Sequence, residues 1–323
     1  MKPLAITCGD PAGVGPEIIE RWLMGQAREA ANVVVVGPPQ WLNGLSSDVR
    51  QEAVGLESFV NTPGEPTAEG ALVAWAAMQR AAEGCATGEF SGVVTGPVSK
   101  ARLAAIGYPF PGQTEFFAAA WGGAPTMAFC GGKLQVVLAT WHLPLRDVPA
   151  ALTPGVIERA VRAAAELAQS RREARLAGGG DDPLRIAVCG LNPHAGEDGL
   201  LGDEEERMID PVLSRLRAEF PGLSRTLPGD TVFARALRGE FEAVVALYHD
   251  QGLAPLKAVD FDKSVNVTLG LPYVRTSPDH GTAFALAGRG QASGTSFAQA
   301  VAVARQLIMR RRQGGGAGLA PRR

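Results

Sequence analysis

The chain has 323 residues, 46% hydrophobic and 20% charged, enough apolar material for more than one core. Its 31 basic and 33 acidic residues nearly cancel, which argues against a nucleic-acid or anionic-lipid surface, and 6% aromatics are too few for base-stacking platforms. No apolar run reaches membrane-spanning length, and Met1-Lys2-Pro3-Leu4-Ala5-Ile6-Thr7 lacks the apolar stretch and cleavage pattern of a signal peptide.

The first predicted strand is Leu4 to Cys8. It runs into Gly9-Asp10-Pro11-Ala12-Gly13-Val14-Gly15-Pro16-Glu17, whose glycines let backbone approach a ligand or another strand and whose helix start leaves amides free. Pro16 suits a first helical turn, with Ile18, Ile19, Trp22 and Leu23 on one face. The next strand, Val33 to Val36, ends at Gly37-Pro38-Pro39 with no acidic residue. The first loop is also not GxGxxG, so a Rossmann dinucleotide site there is disfavoured. Further strands are predicted at Gly92 to Thr95, Leu134 to Thr140, Arg185 to Cys189, Ala243 to Leu247 and Ser264 to Leu269. Gln113-Thr114-Glu115 reads as a helix start. Thr153-Pro154 opens a helix with Ile157, Val161, Ala164 and Ala168 on one face. Asp203 with Glu206 resembles a capping box for another. Gly178 to Pro183 reads as a flexible insertion and 314–323 as a flexible tail. Ser277 to Gly290 reads as a turn, a helix start and a second glycine turn. The alternation predicts an α/β protein with mainly parallel strands and ligands outside their carboxyl ends. Cys8, Cys85, Cys130 and Cys189 contain no CxxC and fit reduced thiols in a cytoplasm.

The four histidines carry the most information. His142, His194, His249 and His280 all fall at predicted strand-to-loop transitions. Three imidazoles at one sheet edge can bind a divalent cation and leave a position open for substrate. Three unrelated loop histidines are the alternative, since nothing local fixes the geometry as it does in HExxH. Lys100, Lys257 and Arg275 each closely follow an apolar segment and could reach a phosphate or carboxylate, or be solvated surface charges.

Thr95-Gly96-Pro97-Val98, Thr114-Glu115-Phe116-Phe117, Thr140-Trp141-His142-Leu143-Pro144-Leu145-Arg146, Gly190-Leu191-Asn192-Pro193-His194-Ala195-Gly196-Glu197, Tyr248-His249-Asp250-Gln251-Gly252 and Arg275-Thr276-Ser277-Pro278-Asp279-His280-Gly281-Thr282, together with the first loop and Val265 to Pro272, resemble the 4-hydroxythreonine-4-phosphate dehydrogenase family. The resemblance runs in order over nearly the whole chain. It implies a two-lobed α/β fold similar to isocitrate and isopropylmalate dehydrogenases, with mainly parallel sheets and an interlobe cleft. The expected lobes are 1–125 plus 267–313, on the nucleotide side, and 126–266, on the metal and dimer side.

The resemblance further implies a homodimer with shared active sites and NAD- or NADP-linked oxidation of 4-hydroxythreonine 4-phosphate to 2-amino-3-oxo-4-phosphooxybutanoate. That product decarboxylates to 3-amino-2-oxopropyl phosphate on the route to pyridoxal 5′-phosphate. It places one divalent metal, zinc, cobalt or magnesium, on His142 and His194 of one chain and His249 of the other. Substrate contacts fall on Gln113, Thr114, Lys257, Asn266 and Arg275, with Lys257 and Arg275 holding the phosphate, and cofactor contacts on Asp279, His280, Gly281 and Thr282. Asp250, from its place beside His249, is an outer partner of that ligand, a proton acceptor or a plain loop aspartate, and with Lys257 it completes the candidate catalytic groups. Gln113 and Ser99 depart from the family pattern, which commonly has His at both positions. Related enzymes that oxidise threonate or erythronate 4-phosphate or an aromatic cis-dihydrodiol share the histidines, and phosphate acyltransferases share a related fold.

Overall fold

The computed structural model describes residues 2–26, 32–175 and 182–315. The tail expected at 314–323 and the insertion expected at Gly178 to Pro183 lie largely outside the described residues. Among those described, eleven strands occur: β1 Leu4–Thr7, β2 Val33–Gly37, β3 Arg50–Ala53, β4 Gly92–Thr95, β5 Thr126–Cys130, β6 Gln135–Leu138, β7 Ile186–Cys189, β8 Leu223–Leu227, β9 Ala243–Ala246, β10 Val265–Leu269 and β11 Val274–Pro278. The chain forms two compact units, the first from 2–125 and Val265–Met309, the second from Thr126–Ser264 and 310–315.

In the first unit the strand order is β3-β2-β1-β4-β11-β10. All pairs are parallel except β10 with β11. The helices Gly15–Gly25, Ala68–Ala86, Gln113–Trp121 and Thr295–Arg310 accompany these strands. The helix at Gln113 begins where the sequence suggested. Its Phe116 and Phe117 join Met78, Leu103, Tyr108 and Leu271 in one buried cluster. Burying such side chains contributes about 1.5–3 kcal/mol each.

In the second unit the order is β5-β6-β9-β7-β8, parallel except for β5 with β6. β6, β7 and β9 are buried along their whole lengths, as strands covered on both faces must be. The helix Pro154–Arg175 follows Thr153, whose Oγ1 accepts from Val156 N at 3.3 Å.

Two local expectations are corrected. No helix begins at Ser277 to Thr282; Ala283 (φ 45°), Gly288 (φ 75°) and Gly290 (φ 66°) are left-handed, and the next helix starts at Thr295. The capping box at Asp203 and Glu206 is also not the device that starts its helix. Glu205–Ile209 forms a π-helical turn before the α-helix Asp210–Leu216, and it carries Glu205 into the interior at 1% exposure.

Candidate active site

Three of the four histidines stand at the carboxyl end of three adjacent parallel strands of the second unit. His142 lies four residues past β6, His249 three past β9 and His194 five past β7, and β9 pairs with both β6 and β7. Strand alternation in the sequence made the strand ends legible; the pairing order that makes them neighbours was not.

The three loops are tied together by side chains. Thr140 Oγ1 donates to the Leu247 carbonyl at 2.7 Å, joining the His142 loop to the end of β9. Gln251 Oε1 accepts from Leu247 N and its Nε2 donates to the Gly190 carbonyl, both at 2.7 Å, joining the His249 helix to the His194 loop. The rings of His142 and His249 are 5.7 Å apart, tilted by 37°.

His142 and His194 both adopt left-handed backbone, φ 49° and 52°. Non-glycine residues hold that conformation only where surrounding structure fixes it, and such strain gathers at working sites. His194 Nδ1 lies 2.6 Å from Glu197 Oε2, and His249 Nδ1 lies 2.7 Å from Asp250 Oδ1. A carboxylate on Nδ1 holds the proton there and leaves the Nε2 lone pair for a cation, the usual outer partner of a metal-binding imidazole. The donor set therefore fits a borderline divalent metal. Among the described residues of the chain, no three His, Cys, Asp or Glu side chains are gathered closely enough to hold one. Lys257 lies two turns beyond His249 on the helix His249–Asp260, half-buried.

The first unit holds a second constellation around Arg275 on β11, which is only 3% exposed. Its Nη1 donates to Asn266 Oδ1 at 2.8 Å and Thr268 Oγ1 at 3.3 Å. Its Nη2 donates to Thr95 Oγ1 at 2.9 Å and to Gln113 Oε1 and Ser277 Oγ at 3.0 Å. Every one of these partners is a neutral oxygen. Burial accordingly pulls the guanidinium pKa down to about 10, against smaller opposing effects of Tyr108 and Glu115. Its Nε is buried without a partner.

Gln113, Asn266 and Arg275 are thus brought together, and Thr114 Oγ1 lies 3.5 Å from Thr268 Oγ1 beside them. Gln113 uses its oxygen to orient Arg275 and its nitrogen to donate to the Gly96 carbonyl at 3.4 Å. Thr95 and Ser277 were not singled out in the sequence as partners of Arg275, because a hydroxyl on a strand gives no signal of its own.

The glycines of the first loop serve close backbone approach. A Cβ on Gly9 would meet the Pro97 carbonyl at 2.5 Å, and one on Gly13 the Thr282 carbonyl at 2.8 Å. Val14 N donates to that same Thr282 carbonyl at 2.9 Å. Glu17, which the sequence marked only as the end of the first-loop motif, accepts from Gly288 N at 2.9 Å and Ala292 N at 3.1 Å, while Arg21 donates to the Gly290 and Ala292 carbonyls. The first loop and its helix therefore hold both ends of the turn region that contains Asp279, His280, Gly281 and Thr282. His280 Nδ1 lies 3.1 Å from the Gly281 carbonyl, and its Nε2 is buried without a partner.

A two-unit α/β chain with mostly parallel strands, histidines at three neighbouring strand ends and a buried guanidinium in neutral surroundings has the layout of an α/β enzyme with its polar groups gathered at strand ends. The chain matches the family model "Pyridoxal phosphate biosynthetic protein PdxA" over residues 20–304. It is 39% identical to the 4-hydroxythreonine-4-phosphate dehydrogenase of Erythrobacter litoralis, over 96% of this chain and 98% of that one. A solved 4-hydroxythreonine-4-phosphate dehydrogenase from Klebsiella pneumoniae superposes with a TM-score of 0.78 at 35% identity, covering 95% of this chain and all of that one. A terephthalate 1,2-cis-dihydrodiol dehydrogenase from Burkholderia xenovorans shares the fold, with a TM-score of 0.67 at 24% identity over 94% and 98% of the two chains. The chain is a member of the PdxA family of pyridoxal phosphate biosynthetic proteins.

Proposed function

We propose that the chain is a 4-hydroxythreonine-4-phosphate dehydrogenase, NAD- or NADP-linked and dependent on one divalent metal, working in the cytoplasm as a homodimer. The observation that carries the chemistry is the row of His142, His249 and His194 on adjacent strand ends, with Nδ1 of His194 and His249 each on a carboxylate. The substrate comes from the relatives' name, and the charge on Arg275, uncompensated by any of its hydrogen-bond partners, supports an anionic one.

A divalent cation on these imidazoles would supply Lewis acidity toward the secondary hydroxyl, and the nicotinamide would accept the hydride from the same carbon. His142 and His194 of one chain and His249 of the partner subunit form the ligand set in this reading. Asp250, through His249 Nδ1, keeps that imidazole in the ligating tautomer. Lys257 relays a proton from the substrate hydroxyl to the carbon that loses carbon dioxide, and with Arg275 it holds the phosphate. Arg275, steered by Asn266 and Gln113, with Thr114 alongside, attracts the phosphate, and binding energy at that remote group orients the reacting carbon. Asp279, His280, Gly281 and Thr282 receive the nicotinamide nucleotide.

The test is nicotinamide reduction with 4-hydroxythreonine 4-phosphate against threonate 4-phosphate, erythronate 4-phosphate and an aromatic cis-dihydrodiol. Turnover with the first at least tenfold more efficient supports the reading; preference for any other replaces it. Mixing inactive His142→Ala and His249→Ala chains tests the shared site. Activity returns if the ligands come from two chains, and stays absent after verified subunit exchange if they do not.

A further inference from the structure

We infer that Glu205, outside the set of histidines and substrate groups, is the positioning residue that holds His194 in its ligating geometry; the inference rests on the proposed metal reading. Residues 194–198 form an unusual segment. His194, Ala195, Glu197 and Asp198 are left-handed, at φ 52°, 55°, 47° and 52°, and Gly196 between them has φ 88°. Four non-glycine departures of this kind within five residues persist only where surrounding structure over-determines the turn. His194 itself cannot do so, because its side chain is 64% exposed.

Glu205 can. Its carboxylate is buried at 1% exposure. Oε1 accepts from Leu191 N at 2.7 Å and Asn192 N at 2.8 Å, the two amides that lead into Pro193 and His194. Oε2 accepts from Asn192 Nδ2 at 2.9 Å, and the same amide group donates to Glu204 at 2.7 Å. The far side of the turn is packed against the same carboxylate: a Cβ on Gly196 would lie 3.0 Å from Glu205 Oε2 and 2.8 Å from the Gly202 carbonyl. A Cβ on Gly190 would lie 3.2 Å from Oε1 and collide with Ala195. Both ends of the strained turn therefore close on one carboxylate.

The π-helical turn Glu205–Ile209 is the local distortion that carries this side chain inward. The neighbours Glu204 and Glu206 are half-buried and exposed, so the inward position belongs to Glu205. Its contacts are with the backbone that sets the imidazole's direction, and outer partners of this kind typically change metal affinity 10–100-fold.

The experiment is zinc and cobalt(II) titration of metal-stripped protein, by calorimetry and by the cobalt absorption spectrum, with no substrate present. Glu205→Gln keeps one acceptor oxygen for the two amides but cannot accept from Asn192 Nδ2, whereas Glu205→Ala loses all three bonds. Affinity should fall about tenfold in the first and about 100-fold in the second. The cobalt spectrum should change shape, and kcat should fall more than KM. Gly196→Ala, which presses on the same turn and leaves Glu205 intact, should weaken affinity as well. It decides the matter together with Glu205→Gln if Glu205→Ala does not fold. Folded Glu205→Gln and Gly196→Ala proteins that bind metal as tightly as wild type, with an unchanged cobalt spectrum, overturn the inference. Wild-type binding that is unaffected by His194→Ala instead overturns the metal reading on which it rests.

Discussion

Arg275 Nη1 donates to Asn266 Oδ1 at 2.8 Å across the antiparallel pair β10 and β11. Together with Thr95, Gln113 and Ser277 this bond fixes the plane of a buried guanidinium. An ammonium on a flexible stem cannot satisfy acceptors spread over both Nη positions. Arg275→Lys should lower kcat/KM for the phosphorylated substrate roughly 100-fold, about 2.7 kcal/mol of transition-state stabilisation. Steady-state kinetics with the phosphorylated and dephosphorylated substrates check this. Equal losses for both would detach Arg275 from the phosphate.

Gln113 gives Arg275 an acceptor that carries no charge. In Gln113→His a protonated imidazole would offer only donors and place a second cation beside the guanidinium. Its folded-state pKa would then lie below the ordinary imidazole value, so the unfolded chain binds the proton more readily and stability rises with pH. The Tm of Gln113→His should match wild type well above pH ~6.5 and fall below it as the pH drops further. A pH-independent Tm difference would contradict the contact.

Glu17 accepts from two amides of the 288–292 turn. Glu17→Ala should cost about 1–2 kcal/mol of stability, since each net hydrogen bond is worth about 1 kcal/mol. It should also raise the KM for the nicotinamide several-fold with little change in kcat. An unchanged KM would separate this turn region from the cofactor.

Asp10 is buried, and that burial raises its carboxyl pKa against the opposing pull of Ala12 N and Arg102. The folded state holds the proton more readily than the unfolded state, so stability is lost as the pH rises from the ordinary aspartate value to the folded one, and the full cost of the buried charge remains above it. Asp10→Asn keeps an oxygen for Ala12 N, 3.1 Å from Oδ1 in the wild type, and removes that cost. Its Tm should exceed wild type at pH 8, and the gain should vanish as the pH falls below the ordinary aspartate value of about 3.9. A gain that persists at low pH would show a packing effect instead.

Much of the fold was legible where the physical signal was local. Val33 to Val36 is a buried β-branched run, and the structure buries all four side chains. β3 was not legible, because Arg50–Ala53 is charged and partly exposed, nor was β11, which carries Arg275, Thr276 and Ser277 in a buried strand. The Ala-rich helix Ala68–Ala86 hides its buried face behind small side chains. In the site, the histidines stood out because they are few and end strands. Glu205 did not, because its amide partners lie 13 and 14 residues away and the local sequence reads as a surface helix start. Pairing order and inward turns of this kind are set by tertiary packing.

The central claim is metal-dependent dehydrogenation at His142, His194 and His249. The most direct measurement is the initial rate of nicotinamide reduction from 4-hydroxythreonine 4-phosphate, before chelation, after it, and after zinc, cobalt or magnesium is returned, in wild type and in each folded His→Ala variant. The account predicts that wild type loses its rate on chelation and regains it with at least one metal. Each variant should stay at least ~1,000-fold below, about 4 kcal/mol of lost stabilisation. Full activity in the stripped wild type, or near-wild-type activity in any one of the three variants, would contradict it.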